Sequence, residues 1–502
     1  MNSNSLFSQF SRQSPKGVLI IYLQLLYKAL KVTWILLFLF IQRFSKFSES
    51  ALIYIYVGLI VVLLFILIRA YLIYKNFVFK IDNGYFVLKE GILKKKNTSV
   101  SFDRIQNINF KQNIVQQLIN VYEVNIETAG SKDTEIAIKA LSFDKAQALK
   151  EALSEVKNPK RETAQTAESQ QPKPLLKIGF TELLKVSLTE NHLQNLLLFL
   201  AIVVGILQQL QDVFKGFGNE KKLNDLVEVD AATIVNSVLF FVVLLVALLL
   251  VGVISSFVKI LLFHFNLTLF IKEKSFNITQ GLLTKKTIIL NENKIQSITV
   301  ATNPIKKKLG ISFVTFKQAV SGKVKKQQNK LIRIVGCKLN QIQQIKKVLY
   351  AYTAVEEKEK KRPNNYFKLK MYIRSFLALL LLNGIAFSVL QTSFWFFSNV
   401  LLVPITILLI QLKFNKQFYK LDQELLLIGS GRVETHLTYL PIFKMQNIKM
   451  SQTIFQKRRN IVDLVFQTAS GKVKIPCIDK QEALSIYNFA LYKAETNTQP
   501  WM

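Results

Sequence analysis

The residues whose types and spacing could do chemistry are mostly cations. Lys306, Lys307 and Lys308 are consecutive, and Lys457, Arg458 and Arg459 form a second triplet further along the chain. Ammonium and guanidinium groups gathered in one turn neutralise phosphate oxygens, and beside an anionic leaflet each contributes about 1 kcal/mol. Both triplets are candidate contacts for lipid head groups, set against the plainer reading of solvated charged turns. Bond-making chemistry is poorly supplied. The chain has no P-loop string, no HExxH and no GxSxG elbow, and Gly429-Ser430-Gly431 lacks the rest of a phosphate-binding loop. Cys337 and Cys477 stand far apart and His192, His264 and His436 are scattered, so neither a disulfide framework nor a metal or cofactor site is expected. The chain reads as a non-enzyme without a cofactor.

The elements that must carry these cations are apolar. Of 502 residues half are hydrophobic, 38 are Phe, and Lys plus Arg number 66 against 32 acidic residues, a net charge of +34. Mean hydropathy is nevertheless +0.26, so apolar and charged residues are segregated along the chain. Residues 51–68, 231–258 and 375–412 carry no Asp, Glu, Lys or Arg, and 193–210 is a further apolar run. A span needs about 20 such residues, so the 38 residues between Arg374 and Lys413 suffice for two short spans folded back on each other. Near the N-terminus, where we expect no removable signal peptide, Lys28 and Lys31 interrupt the apolar pattern. That favours an interfacial helix over about 16–30 and a short span from Lys31, with one continuous helix and snorkelling lysines as the alternative. The expectation is six spans in three hairpins.

Long basic segments follow the hairpins: 75–160, 264–362 and 413–502 carry nets of +4, +16 and +6. By the positive-inside rule these segments and the N-terminus face the cytoplasm. Nucleic acid is a poor partner for this charge, which membrane context explains without a nucleic-acid-binding motif.

The basic segments are copies of one another. Gly91–Ala129, Gly281–Ala319 and Gly431–Ala469 align without a gap over 39 positions, at offsets of 190 and 150. Gly91, Gly281 and Gly431 coincide and are expected to supply a positive-φ turn. Gln106, Gln296 and Gln446 recur inside the strings IQNI, IQSI and MQNI, each preceded by a basic residue, Arg104, Lys294 or Lys444. Such a glutamine is a structural hydrogen-bonding position or part of a binding edge. Runs such as Val121–Thr128, Ser312–Lys317 and Val462–Thr468 read as antiparallel strands, and each copy ends in a helical pattern, the third opening at Asp479 with Glu482 as a capping box.

The glycine, the basic-Ile-Gln-Asn-Ile string, the segment Asn303–Ile311 and the following small-residue turn resemble the bacterial pleckstrin-homology (PH) domain of the YdbS/YdbT-like family, with three copies as in its longer, YdbT-like members. The resemblance implies seven-stranded sheet pairs capped by a helix, and no established activity. The fold class expected is membrane α plus β: three repeats of a transmembrane hairpin followed by a small PH-like antiparallel domain with a C-terminal helix. The order would be 1–74 interfacial helix and first hairpin, 75–157 first domain, 158–174 polar linker, 175–263 second hairpin, 264–352 second domain, 353–365 charged linker, 366–412 third hairpin, 413–495 third domain and 496–502 tail. Functionally we expect docking modules in a bacterial cell membrane, in a homo-oligomer or a complex with a related PH-domain membrane protein. The alternative is binding of anionic membrane lipids, or handling of lipid or amphipathic peptide.

Overall fold

Uncharged runs become long helices, and β-branched alternation becomes short strands. The computed structural model describes residues 7–43, 48–128, 135–155, 174–190, 238–272, 275–318, 332–350, 360–390 and 394–497, with scattered positions between 192 and 208. The first hairpin is α1 (Gly17–Arg43) and α2 (Glu49–Asn76). Strands β1 (Ser11–Arg12), β2 (Val78–Asp82), β3 (Tyr85–Glu90), β4 (Lys96–Ser101), β5 (Ile105–Gln112), β6 (Val121–Thr128) and β7 (Glu135–Ser142) belong to the first repeat, with α3 (Ile114–Leu118) and α4 (Phe143–Glu155). The second repeat has β8 (Leu176–Lys177), α5 (Phe180–Leu188), α6 (Val238–His264), β9 (Thr268–Lys272), β10 (Ser275–Gln280), β11 (Lys285–Asn291), β12 (Ile295–Thr302), α7 (Pro304–Lys308), β13 (Ser312–Gln318), β14 (Arg333–Cys337) and α8 (Leu339–Tyr350). The third has α9 (Tyr366–Leu390), α10 (Asn399–Lys416), β15 (Phe418–Leu421), β16 (Leu425–Gly431), β17 (Thr435–Pro441), β18 (Met445–Ser451), α11 (Ile454–Lys457), β19 (Ile461–Thr468), β20 (Gly471–Asp479) and α12 (Lys480–Thr496).

Four helical segments among the described residues are long and apolar enough to cross a membrane: Ser50–Asn76, Val246–His264, Tyr366–Ser388 and Phe396–Lys416. Their apolar side chains are turned outward, Phe65, Leu249, Phe376 and Leu408 each being more than half exposed, which lipid tolerates and water does not. Half of the positions of the expected span at 193–210 lie outside the described residues. The break expected near Lys31 is absent, because no Gly or Pro interrupts the helix from Gly17 to Arg43. The start of α1 is held by protein: Ile20 packs on Val121 and Ala140, and Lys16 Nζ donates to the Ile119 carbonyl at 3.0 Å. In the third hairpin Asn383 and Asn399 form a reciprocal polar pair, exchanging amide hydrogen bonds of 2.8 and 3.1 Å.

The hairpins do not simply precede their β units. Ser11 pairs with Phe79, Leu176 with Leu269, and Lys361 with Tyr419. Positions 79, 269 and 419 are equivalent under the repeat offsets, so the segment before each hairpin joins the sheet formed after it. Each hairpin is an insertion after the first edge segment of its unit, a two-residue strand in the first two units and a single β-bridge in the third, and six further strands follow it in each. Fully buried aromatics, Phe79 and Phe86 in the first unit, Phe276 and Phe316 in the second and Phe466 in the third, fill the cores. Asp479 caps α12 through the Gln481 amide at 2.8 Å rather than through a capping box, because Glu482 pairs with Lys361 at 2.8 Å instead.

Candidate functional site

The sheets ignore repeat boundaries. Their strand orders are β1-β2-β3-β4, β7-β6-β5-β11-β10-β9-β8, β14-β13-β12-β17-β16-β15 and β18-β19-β20. The second half of one unit therefore continues into the first half of the next. At the first junction Asn109 faces Ile288, and at the second Thr299 faces Thr438. Adding 190 to 109 gives 299, and adding 150 to 288 gives 438, so the two junctions have one register. A one-residue slip would turn every side chain to the opposite face, and the agreement marks a specific joint.

A short helix locks each joint. Asn113, Asn303 and Thr453 cap α3, α7 and α11, each accepting from the amide three residues on. α3 then meets the β10–β11 turn of the second unit and α7 the β16–β17 turn of the third, both equivalent to the β3–β4 turn of the first. Gln117 Nε2 donates to the carbonyls of Leu282 and Leu283 at 3.3 and 3.1 Å, whereas Lys306 donates to Glu434. The turn is shaped by Gly91, Gly281 and Gly431, with φ of +109°, +111° and +120°. A Cβ on any of them would meet the carbonyl oxygen three residues on at 1.9–2.1 Å. At the second joint Lys444 Nζ also donates to the Asn293 and Ile295 carbonyls, and burial pulls its pKa down to about 8. Thr299 and Thr438 hydroxyls lie 3.1 Å apart there.

Lys306 is therefore not a surface cation. It is buried over the ring of Phe313 at 3.6 Å, because the third residue of this short helix points inward, as Gln116 and Gln456 do in the other copies. Burial lowers its pKa, opposed by the hydrogen bond and charge of Glu434. Burial alone would raise the Glu434 carboxyl, but Lys306 outweighs it and holds the carboxyl below its usual range. Lys307, Lys308, Lys457, Arg458 and Arg459 are exposed, with Arg459 stacked 4.9 Å over Tyr366 at the start of α9. The recurring glutamines do not share one environment. Gln296 is buried because β12 lies inside a sheet, Gln446 is exposed because β18 is an edge, and only the backbone of Gln106 is described. His192 is held by Ser256 and the Leu188 carbonyl at 3.0 and 3.1 Å.

Sequence reasoning did not find a cleft of about 410 Å³ between the third hairpin and the sheets beside it. Lys370 and Arg374 come from the first turns of α9, Lys413 from the last turn of α10, Lys317 from β13, and Lys472 and Lys474 from β20. Among the described residues Asp463 is the one carboxylate in the wall, and it is already engaged. Its Oδ1 accepts from the Cys477 amide at 2.8 Å and Gln456 Nε2 at 3.0 Å, and its Oδ2 from Lys474 Nζ at 2.6 Å. Burial works against its ionisation, but Lys474 and the Cys477 amide keep its pKa below the usual value. One signal was present in the sequence: Arg374 and Lys413 bracket the uncharged run, and a hairpin returns both to the same membrane face.

These observations define a class, a membrane protein built from PH-like β units joined edge to edge. The profile of the bacterial PH domain family matches residues 29–157, 225–353 and 376–494, more than half of the chain, and the protein belongs to that family. It is similar to the transmembrane protein YdbT of Bacillus subtilis (strain 168), at 24% identity over 399 residues that cover 77% of this chain and 78% of the relative.

Proposed function

We propose that this is a non-enzymatic assembly protein of the bacterial cytoplasmic membrane. Its three PH-like units and its N-terminus lie on the cytoplasmic side and dock protein partners through their sheet edges. The observation that carries this reading is the repeated joint: the units already bind one another by strand addition in a fixed register. Of the strands equivalent to those at the joints, β4 and β18 have a strand on one side only among the described residues. β12, the counterpart of β18, is buried along nearly its whole length, whereas β18 exposes Gln446, Asn447 and Lys449.

Extending the register would set Lys449 opposite Thr98 of an incoming unit. A second copy of this chain fits poorly, because Lys94 stands where Glu434 stands and would face Lys457 and Arg458. Like charges so placed repel. The occupant of the β18 edge is instead a PH-like unit of a different chain with an acidic β3–β4 turn.

Co-purification of the full chain in mild detergent, read by native mass spectrometry, tests this. The expected result is a stoichiometric PH-like protein that is lost when Lys457, Arg458 and Arg459 are all changed to Glu, while membrane insertion is unchanged. A chain that stays single, pairs with itself, or keeps its partner despite the substitutions argues against the reading.

A further inference from the structure

We propose that the basic cleft beneath the third hairpin binds the phosphate of an anionic phospholipid head group. This goes beyond edge docking and uses a different surface. Among the described residues six cations and one carboxylate form its charged wall, beside the neutral Gln417, Ser430 and Thr438, and the carboxylate is occupied by Lys474, Gln456 and the Cys477 amide. Among the described residues Lys317, Arg374, Lys413 and Lys472 have no acidic partner. Burial pulls the Lys317 ammonium below its ordinary pKa, the mark of a cation placed out of water without a counter-charge. A phosphate would supply that charge.

The position selects a lipid source. Arg374 and Lys413 lie at the two ends of the uncharged hairpin run, the depth at which a bilayer presents its phosphates. Phe367 and Met371 add apolar wall from the same helical turns, a surface suited to the glycerol and the first acyl carbons. The cations are not a requirement of the fold. Under the repeat offsets Lys413 stands where Phe263 and Ile73 stand, and Lys317 where Glu127 and Gln467 stand. At the third hairpin these cations converge on one cleft.

The test uses the full chain in mild detergent with phosphatidylglycerol, phosphatidylcholine or inorganic phosphate as probes, read by native mass spectrometry. The wild type should retain one phosphatidylglycerol in preference to phosphatidylcholine. The double variant Arg374→Gln/Lys413→Gln should weaken this by about tenfold or more, the loss of two cations near the surface. Lys307→Gln/Lys308→Gln should leave it within about twofold, as expected for exposed cations outside the cleft. Displacement of the lipid by millimolar inorganic phosphate would assign the site to a soluble phosphate and overturn the lipid. Equal retention of both lipids, or loss through the turn variant and not the cleft variant, would overturn it too. Should the cleft variant misfold, a photoreactive phosphatidylglycerol on the wild type decides. Labelling within 366–374 or 413–417 supports the site, and labelling confined to other segments removes it.

Discussion

Lys306, buried in the second repeat, donates a hydrogen bond to Glu434 of the third, 128 positions away. A buried ammonium is costly unless paired, so this contact makes the second and third units depend on each other. The first joint does the same work with the neutral amide of Gln117.

Removing one partner should therefore cost more than removing both. Glu434→Gln leaves the Lys306 ammonium without its charge partner and should destabilise by about 1–3 kcal/mol, reduced from the fully buried case because Glu434 is partly exposed. Lys306→Met combined with Glu434→Gln should recover most of that loss. Denaturant unfolding of the four proteins in detergent gives the coupling, and additive effects would remove the proposed dependence.

Acid should loosen the third unit in two stages. The His436 imidazole is held below its ordinary pKa by burial, so the unfolded chain takes up its proton first and stability declines as pH falls below about 6.5. Glu434 and Asp463 are held below the ordinary carboxyl values, so their contributions are complete above that range and are lost as pH falls through the native values. Unfolding midpoints should dip slightly as pH falls from about 7, then drop steeply below about pH 4. His436→Gln should shrink the first decline and leave the second in place.

The turn glycines should be irreplaceable while a membrane glycine is not. Gly431→Ala forces a side chain to φ +120° and into the Glu434 carbonyl, with strain alone of about 1–3 kcal/mol. Gly58→Ala in α2 meets nothing within 4 Å and should be neutral or stabilising. Thermal midpoints of the two variants provide the comparison.

Cys337 and Cys477 should report unfolding of the second and third units separately. Both are buried, and burial pushes their thiols up to about 12 and about 11. Maleimide at pH 7 should label neither until denaturant opens its unit, and mass spectrometry of the peptides identifies which opens first. Rapid labelling of either in the native protein would contradict that burial.

Much of this architecture is legible in local pattern. Offsets of 190 and 150 identify the repeats, and the strands at Val121–Thr128 and Val462–Thr468 lie where β-branched alternation puts them. The insertion of each hairpin is not legible, because β1 and β8 are two residues long and have no alternation to read. The lysine triplet at 306–308 misleads for a similar reason. Three like residues in a row look equally exposed, and only the helical turn sends Lys306 inward.

The sequence by itself determines which elements form and that the chain is a threefold membrane array, because spans, strands and caps follow from hydropathy, period and neighbouring residues. The tertiary structure alone decides which edges meet. Gln296 and Gln446 occupy equivalent strands, yet the strand of one is paired with β17 of the next unit and the strand of the other stands at the end of the series. The same holds for the basic cleft, whose cations come from separate segments joined by a hairpin and two sheets. Strand pairing and charge convergence depend on distances between residues far apart in the chain, and those distances exist only after folding.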